Sequence, residues 1–594
     1  MMKMGRSTSG DKTPAETPVF RDPGLMWLVI SVSAICAVIF VVTALRYMSF
    51  LDLNWDLGIS MQALWTNTHG YLMFESADHQ TSGVLSFLEV NTAYIGIPIS
   101  YLYGLFPDAL TLLFIQAFII SISGFPLYLY SRKRFGDWKI PLLITLVYLT
   151  NFAVLSGVFY DFHWEAFLPM EFFSLIYLFS EKRYVLASIP VVLGALTLEV
   201  FPFIAGSYLI YAILLPSRIS ANPESKNNHA GFVRSAAIIL LALSGIVYYI
   251  LAYVGGAILP AILGTSYSST GSAVHAVSYL FSFGVTSSTI FNSLVYWLLI
   301  FISVGFTPFL KWKNLVIVVP WFYWSVIAHP VYTAQFGVQY GIIAMLLLMV
   351  PFIEGVREIL RRSNRGSLAG MRALFIGPIS LIVLAFGFET TSVFINHVHL
   401  IFFTFLFLVL GVVSVLIYRT GLLDRKLLLG ITKVPKKKLL SYFLVLIITV
   451  SLLIGPLNPV NKSPPFTGGY AINYGISPSF QYMGEITDLV GHNSTALSTD
   501  NLFPFIANNP KAYSFFWFPS DYSDNKYFPY NQSNLPEFLL FDSSEMFTVP
   551  SLYQYLAFNS TLYGEKMEII NSKYPGNIYL FQLGYDGRPL VYIT

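Results

Sequence analysis

Residues 234–311 read RSAAIILLALSGIVYYILAYVGGAILPAILGTSYSSTGSAVHAVSYLFSFGVTSSTIFNSLVYWLLIFISVGFTPFLK, and no Asp, Glu, Lys or Arg stands between Arg234 and Lys311. A water-soluble domain cannot cover itself with polar surface from such a segment, whereas a hydrocarbon core is crossed by about 20 apolar residues. The rest of the chain carries the same bias. Of 594 residues 55% are hydrophobic and 11% charged, against about 25% charged in a typical soluble protein. That excludes an ordinary soluble enzyme and a disordered chain. A net charge of +3 also argues against a nucleic-acid binder, which would show a basic stripe. The fold class expected is a polytopic α-helical membrane protein.

Apolar runs predict spans over 25–45, 109–131, 138–158, 166–180, 235–256, 289–310, 315–328, 338–353, 373–393, 399–418 and 439–456. The 25–45 run is too long for a signal-peptide core and no small-residue cleavage site follows it, so it reads as a retained first span. The stretch 184–215 holds one carboxylate, Glu199, with Pro202 just after it. A carboxylate beside a helix breaker predicts two short helices meeting at Glu199 rather than one long span facing lipid. Cys36, the single cysteine, lies in an apolar run, which excludes a disulfide framework and a Cys-based metal site.

The positive-inside rule orients the chain. Putting the N-terminus (1–24), 132–139, 182–183, 218–234, 311–313, 357–372 and 419–438 in the cytoplasm places 27 of the 34 basic residues there. Arg46 is then the sole cation of the outer membrane loops. One helix, 109–131, must connect the first outer loop to Arg132, so 86–106 lies in the outer interface instead of crossing. The expectation is about 13 spans over 25–456, outer loops at 46–108 and 159–165, and the C-terminus outside a plasma membrane.

Residues 457–594 change character. Short apolar runs such as Phe538–Phe541 and Ile578–Phe581 alternate with turn residues, which predicts a small α/β or β-rich extracytoplasmic domain. Four N-x-S/T sequons, Asn461, Asn493, Asn531 and Asn559, all fall in it, as candidate glycosylation sites.

No phosphate-binding glycine loop, dinucleotide fingerprint, zinc-protease motif or nucleophile elbow is present. The chemistry-bearing residues are acidic groups and histidines on the outer side. The first outer loop has Asp52, Asp56, His69, Glu75, Asp78, His79 and Glu89; the second has Asp161-Phe-His163-Trp-Glu165; later loops add His329, Glu389, His397 and His399. Ionisable groups at membrane depth are costly and usually line a cavity. Such carboxylates can serve as general base toward an acceptor hydroxyl, or hold a divalent cation, for which Asp56, Asp161 and Glu165 are the candidates. Plainer readings stand beside these. Asp52 and Asp56 are suited to capping the helix that follows, Asp161–Glu165 to an interfacial loop anchored by Trp164, and Glu199 to a structural role.

The runs Trp55–Gly70, Leu105–Gln116 and Tyr160–Phe167, with Ala195–Glu199, Phe336–Tyr340, Ser498–Asn508 and Phe538–Asp542, resemble the family of prokaryotic membrane proteins known as domain of unknown function 2079, mainly its archaeal branch. The chain departs from many members in having Asn91-Thr92-Ala93-Tyr94 for His-Phe-Ser-Pro, and only Glu199 where bacterial members have Lys-Glu-Asp. The layout is similar to that of the GT-C glycosyltransferases, which use lipid-phosphate-linked sugar donors. The resemblance implies an acidic residue in the first outer loop (Asp56), a carboxylate in the second (Asp161), and a juxtamembrane helix within 86–106. The candidate substrate contacts are His69, His163, Glu165, Glu199, Gln339 and Tyr340, with Arg46 the only outer-loop cation able to reach a donor phosphate.

Two functions are therefore expected to compete. One is inverting transfer of a sugar from a polyprenyl-phosphate donor in the membrane to an acceptor on the outer face. The other is non-enzymatic, a transporter or cell-envelope scaffold whose outside domain binds glycans or proteins.

Overall fold

The computed structural model describes residues 22–52, 54–219, 228–265, 286–328, 333–335, 337–364, 436–458, 475–515, 527–530, 534–545, 561–571 and 576–594. The expected spans at 373–393 and 399–418, together with Asn461, Asn531, Asn559, His329, Glu389, His397 and His399, lie outside the described residues.

Helix α1 (Pro23–Tyr47) starts where Asp22 caps the Gly24 amide and bonds Arg132 and Tyr128. The loop expected on the outer face, 46–108, follows, and is called the first outer loop for its place in the sequence. A π-helical turn, Asn54–Gly58, leads into α2 (Ile59–Asn67), then α3 (Ser76–Ser82) and α4 (Gly96–Tyr103). Residues 86–106 do not form a spanning helix: α4 has eight residues, and Ile95 N donates to Leu196 O. Asp108 caps α5 (Ala109–Ile122), which continues through α6 (Gly124–Arg132) as a 24-residue apolar helix.

Helices α7 (Lys139–Leu149) and α8 (Phe152–Val158) are bent by 47° at Thr150–Asn151. The second outer loop then leads to α9 (Leu168–Ser180). The 184–215 stretch divides into α10 (Tyr184–Thr197) and α11 (Phe201–Leu214), with Leu198 extended and Glu199 at the break. Helix α12 (Asn228–Tyr253) runs through a π-turn, Val254–Ile258, into α13 (Leu259–Leu263). From Ala230 this unit has 34 residues, or about 51 Å of helix. It overshoots a core of about 30 Å, and its outer end meets the first loop, where Gly255 packs on the Leu88 carbonyl.

Two expected spans are corrected. The run 289–310 ends early, because α14 (Ser287–Ser303) stops where Gly305 and Phe306 adopt positive φ and Pro308 follows. Residues 307–317 form a 3₁₀ stretch, and only α15 (Val319–Tyr323) with a π-turn to Ala328 covers the expected span at 315–328. The 338–353 span instead starts α16 (Tyr340–Asn364), extended by ion pairs of Glu354 with Arg134 and of Glu358 with Lys311 and Arg361. Helix α17 (Lys436–Ile454) completes the described helices of this part. Among the described residues four helices, plus the bent α7–α8 pair, are long and apolar enough to cross a membrane.

The C-terminal part is a small mixed sheet of order β2-β1-β3-β5-β4-β6, from β1 (Ala496–Ser498), β2 (Ala512–Ser514), β3 (Phe538–Asp542), β4 (Tyr563–Ile570), β5 (Ile578–Leu583) and β6 (Leu590–Ile593). Strand β1 pairs β2 and β3 in parallel, and β5 runs antiparallel to β3 and β4. Alternation gives the sheet two apolar faces. Leu497, Leu539, Phe541 and Tyr513 pack with Phe74 of the first outer loop; Ala496, Leu540, Leu580, Met567 and Ile569 join the main core with Ile486 and Val490 of α18 (Met483–Val490).

Candidate functional site

The first outer loop is shaped from both ends. Arg46, in the last turn of α1 and almost inaccessible to solvent, donates from Nε to Asp52 Oδ1 at 2.8 Å and from Nη2 to Leu51 O at 2.8 Å. Asp52 is therefore the partner of a buried guanidinium, and the capping reading for it is corrected. Asp56 does not cap either. It lies inside the π-turn, and the residue before α2 is Gly58, which caps nothing with a side chain. A π-turn widens a helix by one residue per turn and often marks functional positions. Here it leaves Asp56 with no hydrogen bond among the described residues and 24% of its side chain accessible, within an otherwise buried group.

Tyr160–Glu165 closes over this turn. His163 Nδ1 lies 3.6 Å from Asp56 Oδ1. Its ring stacks on Tyr160 (centroids 5.3 Å apart, planes 5° from parallel), and its Nε2 is buried without a hydrogen-bond partner among the described residues. The Tyr160 ring also lies under Arg46, 5.9 Å from its centroid. Asp161 turns back on its own backbone, accepting from Phe162 N at 2.7 Å. Glu165 is buried on the following 3₁₀ turn, within electrostatic reach of His163, Asp56 and Glu199. Glu199, half-buried at the helix break, accepts from Thr92 Oγ1 at 3.3 Å. The juxtamembrane segment and the α10–α11 break thus meet beside the second loop.

The electrostatics follow from burial. Desolvation penalises the charged form of any group, and it pushes the Asp56 carboxyl up to about 7, with Arg46 opposing. Asp52 is pushed up to about 6 by the same cause, with its Arg46 pair pulling down, which leaves it ionised at neutral pH. Burial drives the His163 imidazole down to about 4, Glu165 favouring and Arg46 disfavouring the cation. Glu165 is raised by desolvation, and Glu199 and Asp56 add to the rise.

The structure thus brings together Arg46, Asp56, Asp161, His163, Glu165 and Glu199. Other candidates lie elsewhere. His69 is exposed at the far end of α2, where its ring stacks on Trp65 and its Nδ1 meets Trp65 O at 2.8 Å. Trp65 also stacks with His492 of the C-terminal part, so His69 marks a junction between the two parts of the protein. Glu75 caps α3, Glu89 closes a capping box with Ser86, and His79 Nδ1 meets Val84 O: all three hold loop backbone. Gln339 and Tyr340 start α16 against Gly157 of α8, just before the second loop. Asn493 is exposed in the turn before β1. No group of three or more His, Cys, Asp or Glu among the described residues is arranged to hold a metal ion. Asp56, Asp161 and Glu165 do not form such a group.

Sequence reasoning missed Asp52 as an ion-pair partner, Tyr160 as the ring that orients His163, and the C-terminal cover. Phe503–Ile506 packs against the Asn54–Gly58 turn, with Phe505 stacked on Tyr47 at 4.9 Å and edge-on to Phe50. Gln62 Nε2 donates to Asn509 O (2.7 Å) and Ala512 O (3.1 Å), and its Oε1 accepts from Ser76 N. Tyr103 and Pro107 O both bond Asn508. The quoted motif Ser498–Asn508 was the available signal.

A family model described as predicted membrane protein (DUF2079) matches residues 46–385. Among solved structures, ArnT from Cupriavidus metallidurans in the apo state aligns with a TM-score of 0.50 at 9% sequence identity, over 94% of this chain and 98% of that one. The Archaeoglobus fulgidus oligosaccharyltransferase in its apo form aligns with a TM-score of 0.38 at 10% identity, over 96% and 76%. No curated protein matches the sequence.

Proposed function

The chain belongs to the DUF2079 family of predicted membrane proteins, and from its outer-loop site we propose that it is a membrane glycosyltransferase, moving a sugar from a polyprenyl-phosphate donor to an acceptor on the outer face. In this reading it is polytopic, with a cytoplasmic N-terminus and an extracytoplasmic domain over 457–594 in the plasma membrane.

The observation that carries the proposal is Asp56: an accessible carboxylate without a hydrogen bond, in a buried polar group, with its affinity for a proton raised to about 7. A general base works best when its pKa lies near the working pH. The acceptor hydroxyl attacks the anomeric carbon opposite the phosphate, the carbon–oxygen bond to phosphate breaks, and Asp56 takes the hydroxyl proton. Inversion follows from that geometry. Glu165, His163, Asp161 and Glu199 bind the sugars through their hydroxyls, with the Arg46–Asp52 pair holding the base of the loop. For the lipid, a groove of about 210 Å³ begins at Val200, next to Glu199, and is lined by Phe203, Ile204, Trp321 and Trp324. Its walls suit an isoprenoid chain.

The test is turnover of a mixed pool of labelled polyprenyl-phosphate sugars in membranes holding equal amounts of wild type or Asp56→Asn. Loss of a donor with wild type and not with the variant supports the transferase. No donor consumed by wild type, with or without divalent cations, favours the binding or transport reading instead.

A further inference from the structure

Gln116 lies in mid-helix α5 among Leu112, Leu113, Ala117 and Ile120, all buried and apolar. A primary amide there costs several kcal/mol unless it is hydrogen-bonded. The bonds it makes are all to one short stretch of the second outer loop. Nε2 donates to Val158 O at 3.0 Å and to Asp161 O at 2.8 Å, and Oε1 accepts from His163 N at 2.6 Å. Both amide hydrogens and the acceptor are thereby committed to Val158, the last residue of α8, and to Asp161 and His163 in the loop that follows it.

One of the residues it grips, His163, faces Asp56 at 3.6 Å. Holding His163 N and Asp161 O on one rigid side chain fixes the peptide planes on either side of Phe162, and hence the directions of Asp161 and His163. With Tyr160 stacked on the ring, the imidazole keeps Nδ1 toward Asp56 and leaves Nε2 without a hydrogen-bond partner among the described residues. We propose that Gln116 is the positioning residue of this site, clamping the second outer loop from inside the membrane helix so that His163 is held against Asp56. The catalytic half of this proposal rests on the transferase reading.

Gln116→Met keeps the length of the side chain and removes every bond, whereas Gln116→Glu keeps the acceptor for His163 N and loses paired donation. Gln62→Met is the matched comparison. Gln62 is as deeply buried and also bonds three backbone groups, but those belong to Ser76, Asn509 and Ala512. With full-length protein in membranes, Gln116→Met should lower kcat for donor turnover about 100-fold, the cost of roughly 1 Å of misplacement, while donor KM changes little. Gln116→Glu should fall in between. Gln62→Met, at an equal loss of thermal stability, should keep most of its kcat. In the same samples, amide exchange over 158–163 should quicken in Gln116→Met and stay unchanged in Gln62→Met.

Unchanged exchange in Gln116→Met overturns the clamp whatever the turnover. Wild-type kcat in folded Gln116→Met overturns the positioning role; should that variant fail to accumulate, wild-type kcat in Gln116→Glu does the same. A wild type that consumes no donor overturns the transferase reading and the catalytic half of the proposal with it, while the exchange result still decides the clamp.

Discussion

The imidazole of His163 and the carboxylate of Asp56 face each other across 3.6 Å from different outer loops, and burial acts on them in opposite senses. It raises the proton affinity of Asp56 to about 7 and lowers that of His163 to about 4. Burial thus favours the carboxyl over the imidazole as the group that takes up a proton. The base is competent only once that proton has left, so donor turnover should fall as pH drops through about 7. Asp56→Asn should lose 10²- to 10⁴-fold in kcat. Initial rates between pH 5 and 9 check this, and a flat profile would count against Asp56 as base.

The same shift has a stability signature of opposite sign. A carboxyl whose folded pKa is raised contributes favourably at pH below its unfolded value of 3.8, and this contribution is lost as pH rises through 7. Asp56→Asn should therefore stabilise the protein at pH 8, by roughly 1–3 kcal/mol after allowance for its remaining exposure. The gain should shrink at pH 5. Thermal melting in detergent at the two pH values measures it.

Arg46 and Asp52 are both almost fully buried at 2.8 Å. Removing one partner leaves a charge in a poorly solvated site, and Asp52→Ala should destabilise by about 3–5 kcal/mol. The pair of exposed Lys437 with half-buried Asp137 at 3.0 Å is the contrast: Lys437→Ala should cost less than about 1 kcal/mol. Equal melting shifts for the two variants would contradict this ranking.

Gln62 and Asn508 tie the sheet domain to the first outer loop. The double variant Gln62→Met/Asn508→Ala should speed proteolytic release of a fragment beginning near residue 475, with the membrane helices left intact. Unchanged digestion kinetics would show that the aromatic contacts of Phe505 alone hold the domain.

How much of this could be read in one dimension depended on the kind of signal. Membrane class follows from charge counts, because the cost of an ion in hydrocarbon does not depend on tertiary detail. The break at Glu199 was similarly legible from a carboxylate followed by proline. The role of Asp52 was not, since a cap and an ion-pair partner look alike until the guanidinium of Arg46 is located. Gln116 carried no visible sign of its partners, which lie 42 to 47 positions further on. Residues 289–310 misled because an unbroken apolar run says nothing of the positive φ at Gly305 and Phe306 that ends the helix. His69 belongs to the resembled motif, yet its place at the far end of α2 reflects the junction with His492, which no local pattern encodes.

Phe505 resting on Tyr47 also sets a schedule for biogenesis. The Asn54–Gly58 turn is made early, but the segment that covers it is synthesised some 450 positions later. At about 5–20 residues per second, the turn bearing Asp56 waits roughly 20–90 s for its cover. A nascent or truncated chain would expose that acidic turn uncovered, and the site can be whole only when the last domain has been made.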